Sequence, residues 1–112
     1  MQFSKELLKG AVDVLVLRLL AERGEAYGYQ LIELIKKDSG DVFELQEGTL
    51  YPLLYRLEDR GLITSERKEA KNGKIRRYYH LTKKGRGLLT DKTKEYKGFI
   101  KGLSLVLDLS RI

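Results

Sequence analysis

Positively charged side chains are concentrated around one turn in the middle of the chain. Asn72-Gly73 is a strong hairpin signal, because both residues tolerate the positive φ angles of a tight turn. The cations that flank it are Lys68, Lys71, Lys74, Arg76 and Arg77. They repel each other unless an anion lies between them. Lysines also protect edge strands from aggregation, but that role does not explain adjacent arginines. We therefore interpret the hairpin as a surface for a polyanion.

A second candidate surface is the outward face of a helix predicted over Thr49–Arg60. Its inner face takes the leucines at positions 50, 53, 54 and 57. The outward side chains are Thr49, Tyr51, Pro52, Tyr55, Arg56 and Asp59. Hydroxyl and guanidinium groups suit contacts with phosphates and base edges. Either tyrosine alone is explained equally well by packing against a neighbouring helix, so that alternative stays open.

Tyr27 lies where another helix is predicted to begin, within the step Tyr27-Gly28-Tyr29. Free N–H groups at a helix start bind phosphate readily. A tight turn packed by the two tyrosines is the structural alternative, and we expect both descriptions to be partly true. Tyr78 and Tyr79 alternate along a predicted strand, so one should enter the core while the other packs on the last helix.

The residues that enzymes and metal sites need are scarce. The chain has no cysteine, which excludes a disulfide, a cysteine nucleophile and a thiolate zinc site. His80 is the single histidine, and no partner ligand is predicted near it. No glycine-rich phosphate loop or nucleophile motif occurs. We therefore expect no enzyme, no metal and no cofactor.

Charge is distributed unevenly over the 112 residues, which carry a net charge of +6. Residues 1–46 hold 6 basic and 8 acidic side chains, a net of −2, whereas residues 56–86 hold 11 and 4, a net of +7. This asymmetry favours a binding surface, most often for nucleic acid. The most apolar run, Ala11–Ala21, contains Asp13 and Arg18 and is shorter than the roughly 20 residues that span a bilayer. We expect a cytoplasmic protein with no membrane partner.

Hydrophobic periodicity and turn signals predict six elements. They are helices over Lys5–Arg23, Tyr27–Lys37, Thr49–Arg60 and Lys83–Leu107, and strands over Leu62–Glu69 and Ile75–Leu81. Thr82 is a plausible N-cap for the last helix. The third helix starts either at Thr49, which places Pro52 in the first turn, or near Gln46, which places it later. The sequence does not decide between these.

The order α-α-α-β-β-α predicts a mainly α fold with a two-stranded β-hairpin. A three-helix core followed by a hairpin is a winged helix-turn-helix, which we assign to residues 1–82, and residues 83–112 form a long helix in the same structural unit. The first helix is apolar nearly all round, so we expect another subunit to cover one of its sides, and the second half of the last helix has an apolar stripe. The expected dimer residues are Leu7, Ala11, Val14, Leu89, Tyr96, Phe99, Ile100, Leu103, Val106 and Leu107.

Several motifs together resemble the PadR family of bacterial transcriptional regulators. The likeness runs from Leu7 to about Leu89, and its specific part is the Gly-Thr-Leu-Tyr-Pro element followed by an Arg-Tyr-Tyr strand. The matching segments are residues 27–31, 47–54, 57–58, 61–63, Gly73, residues 77–79, 81–82 and Gly85.

The resemblance implies a winged-helix repressor that binds operator DNA as a homodimer through its C-terminal helix. It implies contacts to double-stranded DNA from the third helix, from the start of the second helix and from the β-hairpin, which is called the wing in this fold. With the cations named above, the expected DNA-binding residues are Tyr27, Thr49, Tyr51, Pro52, Tyr55, Arg56, Lys71, Asn72, Gly73, Lys74 and Arg76. Some short members sense drugs at the dimer centre with a tryptophan. This chain has none, so Tyr96 and Phe99 are the candidates for stacking on a small hydrophobic or aromatic effector.

Three rival functions have distinguishable features. A winged-helix module that binds protein would show an acidic or apolar third-helix face. An enzyme would need a catalytic constellation. An RNA-binding protein would stack bases on its tyrosines, but these lie on a helix rather than on an open sheet.

Overall fold

The computed structural model describes residues 2–109, which form five helices and three strands. In chain order the elements are α1 (Lys5–Leu8), α2 (Ala11–Arg23), β1 (Ala26–Tyr27), α3 (Gly28–Asp38), α4 (Glu47–Asp59), β2 (Ile63–Glu69), β3 (Ile75–Leu81) and α5 (Lys83–Leu107). The mainly α architecture with a winged helix-turn-helix and a long final helix is confirmed. No helix within residues 2–109 is long and apolar enough to cross a membrane.

The N-terminal helix is interrupted, and the prediction of one helix over Lys5–Arg23 was wrong. α1 ends at Leu8, and Gly10 precedes α2 with φ +81°. Glycine adopts this left-handed conformation without the clash that a Cβ atom causes, so the chain changes direction there. The apolar pattern continues across the break, which is why periodicity alone joined the two helices.

The start of α4 is settled in favour of the earlier position. Gln46 is the N-cap and Glu47 the first helical residue, so Pro52 lies in the second turn. Proline has no N–H, so the carbonyl of Gly48 lacks its usual helical partner. Gly48 is exposed, which leaves that carbonyl open to water. The helix therefore accommodates Pro52 at a place where the lost hydrogen bond lies on the exposed surface.

The sheet has three antiparallel strands in the order β1-β3-β2, instead of the predicted two. β1 places Ala26 opposite Tyr79 and Tyr27 opposite Tyr78. A two-residue strand shows no alternation in the sequence, so no pattern could indicate it. This strand ties the start of α3 to the hairpin.

The core forms where α2, α3 and α4 meet the sheet. Its fully buried members include Val16, Leu17, Leu20, Leu31, Leu50, Leu54, Leu57, Leu62 and Ile63. The predicted inner leucines of α4 are thus all buried, as are Leu31 and Ile35 of α3. The start of α5 joins this core, because Thr82 Oγ1 accepts a hydrogen bond from the Gly85 N–H at 3.0 Å and Leu89 is buried. Beyond Leu89 the helix leaves the core.

Candidate nucleic-acid interface

The outward face of α4 carries the side chains predicted for it. Thr49, Tyr51, Pro52, Tyr55 and Arg56 are all exposed, whereas the leucines between them are buried. Tyr55 is 74% exposed, so its ring is available to a partner. The buried stripe fixes the rotation of α4 and thereby determines which side chains face outward.

Tyr51 is held in place by the first residue of α3. A Cβ atom added to Gly28 would lie 2.6 Å from Cζ of the Tyr51 ring, so only glycine permits this approach. Tyr51 nevertheless keeps 44% of its surface exposed. Packing against a neighbouring helix and exposure to a partner therefore both apply to Tyr51. One part of its ring packs on α3, and another part faces outward.

Tyr27 and Arg76 are brought together, although they lie far apart in the sequence. The Arg76 guanidinium is 4.2 Å from the centroid of the Tyr27 ring, and Tyr78 meets the same ring edge to face at 5.6 Å. One tyrosine of the pair was expected in the core, and Tyr79 is buried there. The other was expected to pack on the last helix, but Tyr78 packs on Tyr27 instead. The arrangement supports the Arg76 side chain by cation–π attraction.

The strand register places cations directly opposite one another. Arg67 faces Arg77, and Lys68 faces Arg76 in the next pair. Like charges in directly opposed positions destabilise a sheet. Lys68 finds one counterion, since its Nζ lies 2.6 Å from Glu25 Oε1, and Arg77 donates to Ser65 Oγ at 3.0 Å. The Arg67 side chain forms no hydrogen bond or ion pair within residues 2–109, so an external anion would relieve this repulsion.

The sequence analysis did not include Arg67 among the candidate DNA-binding residues. It noted Arg77 as a cation of the hairpin but did not include it among those residues either. Their importance depends on the β2–β3 register, which only the folded hairpin defines. Counting outward from a two-residue Asn72-Gly73 turn pairs Arg67 with Tyr78 instead, so the turn motif alone did not indicate this register.

The hairpin turns at the predicted position, although only Gly73 has the positive φ angle that was expected of both turn residues. Gly73 has φ +83°, and Asn72 Oδ1 accepts a hydrogen bond from the Lys74 N–H at 3.1 Å. Lys71, Asn72, Gly73 and Lys74 are all exposed. The two lysines therefore extend into solvent at the tip of the wing, which we define as β2, β3 and the turn between them.

A groove of about 370 Å³ separates α4 from the sheet, and a hydrogen-bond chain spans it. The groove is lined by Tyr51, Tyr55, Glu58, Arg77 and Tyr79. The Ser65 hydroxyl donates to Glu58 Oε2 at 2.7 Å, and Arg77 donates to the same hydroxyl oxygen. Burial raises the pKa of the Tyr79 phenol, so this ring stays neutral. These contacts fix the wing relative to α4.

A second polar cluster lies on the opposite face of the sheet. His80 Nε2 is 3.2 Å from Glu66 Oε1 and 3.9 Å from Glu25 Oε1. Glu25 also accepts the hydrogen bond from Lys68, and this bond raises the pKa of the Lys68 ammonium. The expectation that no potential ligand lies near His80 was therefore wrong. Glu25 and Glu66 are distant in the sequence and converge only through the strand pairing.

The second half of α5 presents apolar side chains to solvent. Phe99, Ile100, Leu103, Val106 and Leu107 are exposed, Val106 by 85%. Tyr96 is partly buried and lies one turn before Phe99 and Ile100. Among the other expected dimer residues, Leu7 is exposed, Ala11 and Val14 are partly buried, and Leu89 belongs to the core of its own chain at 7% exposure.

A larger open groove, about 650 Å³, lies on α3 and the loop that follows it. Its lining mixes lysines 36 and 37 with Glu33, Asp41 and Glu44. Mixed signs give no preference for an anion, so this groove does not belong to the candidate interface.

Comparison with known proteins identifies the family of this chain. Residues 16–91 match the model of the transcriptional regulator PadR-like family. A transcriptional regulator of Mycobacterium tuberculosis is 34% identical over 87 residues, 78% of this chain and 77% of that protein.

Solved structures agree with the family match. A transcriptional regulator from Clostridium thermocellum has 31% identity and a TM-score of 0.80, covering 92% of this chain and 96% of that one. A PadR-like transcriptional regulator from Bacillus cereus has 29% identity and a TM-score of 0.80, covering 92% and 97%. The fold agrees with these matches: the chain belongs to the PadR-like family of transcriptional regulators, which are non-enzymatic DNA-binding proteins.

Proposed function

We propose that the protein is a cytoplasmic repressor that binds a pseudo-palindromic DNA operator as a homodimer. The observation that carries this proposal is the pairing of Arg67 with Arg77 and of Lys68 with Arg76 on the two faces of the wing, which lies next to the exposed surface of α4. Directly opposed cations favour a partner with closely spaced negative charges, and DNA phosphates supply them.

In this proposal α4 enters the major groove. Thr49, Tyr51, Tyr55 and Arg56 face the base edges and phosphates, with Pro52 between them on the same exposed surface. The wing lies beside α4 on the phosphate backbone or in the minor groove, where Lys71, Asn72, Gly73 and Lys74 approach the DNA and Arg76 is supported by Tyr27.

The second copy of the chain is proposed to pack on the apolar face of α5. Phe99, Ile100, Leu103, Val106 and Leu107 are exposed in one chain and lie at spacings of three and four residues, so they form one stripe. A two-fold dimer buries this stripe against its own copy and presents two α4 helices to DNA. Such helices read half-sites about one helical turn, ~34 Å, apart. Leu89 is excluded from this interface because it is buried within its own chain.

Residues 1–82 then bind DNA and residues 83–112 form the dimer. An effector is proposed to stack on Tyr96 and Phe99 at the dimer centre, because aromatic rings on successive turns of α5 offer flat apolar surfaces. Binding there changes the angle between the two α5 helices, which alters the separation of the two α4 helices and releases the operator.

Replacement of the wing-tip lysines is expected to weaken binding to all DNA sequences equally. Phosphate contacts contribute about 0.9 each to the slope of log affinity against log salt concentration. The double variant Lys71→Ala, Lys74→Ala should therefore reduce that slope by about 2 units if both lysines contact phosphates. Fluorescence anisotropy with the operator and with a random duplex, each at several salt concentrations, measures this slope.

Lys37→Ala is the matched control, since Lys37 is exposed in the last turn of α3, at the end remote from the Gly28–Tyr51 contact. Its salt slope should equal that of the unmodified protein. An unchanged slope in the wing variant would contradict the placement of the wing on DNA.

Replacement of Tyr51 is expected to reduce sequence preference. A lost base contact costs about 1–3 kcal/mol of discrimination. Tyr51→Ala should therefore bind the operator roughly 5- to 150-fold more weakly while binding to random duplex changes little. Tyr51→Phe keeps the ring on Gly28 and isolates the contribution of the hydroxyl. Equal losses on operator and random duplex in competition assays would show that Tyr51 has no role in specificity.

A further inference from the structure

Three ligand-bearing side chains converge on the sheet face that points away from the groove beside α4. Glu25 immediately precedes β1, Glu66 lies in β2 and His80 in β3, so each of the three strands or its flank contributes one side chain. One potential ligand atom from each residue lies within 4.8 Å of the other two. The side chains of His80 and Glu25 are partly exposed, by 32% and 37%, and that of Glu66 is exposed by 58%, so solvent reaches the cluster.

The spacing of these atoms suits a small divalent cation. Ligands about 2.0–2.2 Å from a tetrahedral ion lie roughly 3.3–3.6 Å from one another. His80 Nε2 is 3.2 Å from Glu66 Oε1 and 3.9 Å from Glu25 Oε1, values on either side of that range. The Glu25 and Glu66 oxygens lie within 4.8 Å of each other, so the carboxylates must move closer together to complete the geometry, and their exposure leaves room for this.

A cation already contacts the cluster. The Lys68 ammonium lies 2.6 Å from Glu25 Oε1, the same oxygen that faces His80. The position therefore stabilises positive charge, and a metal ion bound there must displace Lys68 from Glu25. Both partners of this ion pair are exposed by more than a third, so the displaced pair makes a weak contribution to stability.

We propose that Glu25, Glu66 and His80 bind a divalent transition metal of the zinc, cobalt or nickel class, with water completing its coordination. An imidazole nitrogen beside two carboxylates suits these borderline ions, whereas magnesium and calcium prefer oxygen ligands alone. The bound ion joins all three strands of the sheet.

Metal binding also changes the charge of the wing. It neutralises two carboxylates beside the hairpin and frees Lys68, which lies directly opposite Arg76. The wing then carries more uncompensated positive charge, so the metal-bound protein binds DNA more tightly. This coupling rests on the proposed function, whereas the metal site itself does not.

The site is tested without DNA, on untagged protein titrated with cobalt(II) and followed by visible absorption. His80→Ala and Glu66→Gln should each weaken cobalt binding at least tenfold, and Lys68→Ala should tighten it by removing the competing cation. Glu69→Gln is the matched control, because Glu69 lies in the same strand, pairs with Ile75 near the turn and is absent from the cluster. The cobalt affinity of the Glu69→Gln variant should equal that of the unmodified protein.

Because the chain has one histidine, zinc binding should also shift a single set of imidazole signals in the NMR spectrum. Similar cobalt affinities for Glu66→Gln and Glu69→Gln, with no tightening by Lys68→Ala, would overturn the site. Operator affinity is then measured with and without zinc for the unmodified protein and for His80→Ala. An increase of at least threefold, absent in His80→Ala, supports the coupling, and equal affinities overturn it. A protein that binds cobalt as expected but binds no DNA would overturn the proposed function and leave the metal site standing.

Discussion

A single lysine in the apolar stripe of α5 is expected to separate the dimer and remove operator binding. Leu103 is the test position, because it lies between Phe99, Ile100, Val106 and Leu107 in the stripe and is 37% exposed in one chain. Loss of a central interface anchor costs about 2 kcal/mol or more, and a buried lysine charge adds to that cost. A two-fold interface contains each substitution twice, so Leu103→Lys should raise the dimer dissociation constant roughly 1,000-fold, about 4 kcal/mol.

Operator binding should fall by at least 100-fold in the same variant, because one protomer contacts one half-site only. Sedimentation equilibrium gives the oligomeric state, and gel-shift titrations on the full operator and on an isolated half-site give the affinities. The half-site affinity should be unchanged, which separates loss of the dimer from loss of the fold.

Leu105→Lys is the matched control for this experiment. Leu105 is 72% exposed and lies two residues further along α5, about 200° around the helix from Leu103. This variant should remain dimeric. If both variants dissociate equally, or if Leu103→Lys stays dimeric, the α5 stripe is not the interface.

Gly85→Ala is expected to lower the free energy of unfolding by about 3 kcal/mol, at the upper end of the usual cost of overpacking. A Cβ atom at Gly85 would lie only 2.1 Å from the carbonyl oxygen of Leu62 and 2.7 Å from Cδ1 of Leu81. The Leu62 carbonyl belongs to the backbone and also accepts the Thr82 N–H at 3.2 Å, so it cannot move freely. The start of α5 must therefore shift away from the sheet.

Gly87→Ala provides the control within the same helix. Apart from its chain neighbours and the backbone of its own helix, no described atom lies within 4 Å of a Cβ added there, and the position is exposed. Alanine should raise the free energy of unfolding by about 0.5–1 kcal/mol, because glycine loses more backbone entropy in a helix. Denaturant unfolding at one fixed protomer concentration measures both variants, since the stability of a dimer depends on concentration. Equal changes in the two variants would contradict the close contact at Gly85.

Local patterns predicted most of the fold. The burial of the α4 leucines, the position of the Asn72-Gly73 turn and the Thr82 cap are as predicted, although Asn72 lacks the positive φ angle expected of it. The bounds of β3 and α5 agree with the sequence prediction, because each element ends at an abrupt change of pattern. The outward set on α4 followed from the buried stripe, even though the helix starts two residues earlier than Thr49.

Features that depend on contacts between distant residues could not be predicted. β1 exists only because Ala26 and Tyr27 pair with β3. The same pairing brings Glu25 to His80 and Tyr27 to Arg76, residues about 50 positions apart. The break at Gly10 is different, because the glycine was visible in the sequence just before the apolar run and its positive φ marks the break. Periodicity describes one element at a time and contains no information about which elements meet.

The most direct test of the account is selection of bound duplexes from a random DNA pool, followed by a salt titration on the selected sequence. We expect an inverted repeat with half-sites about 10 bp apart, because two α4 helices in a two-fold dimer read successive turns of the major groove. Binding should weaken steeply with salt, since the wing contacts phosphates. Weak binding with no enriched motif would contradict the assignment of α4 and the wing to an operator, and it would favour a winged-helix module that binds another protein.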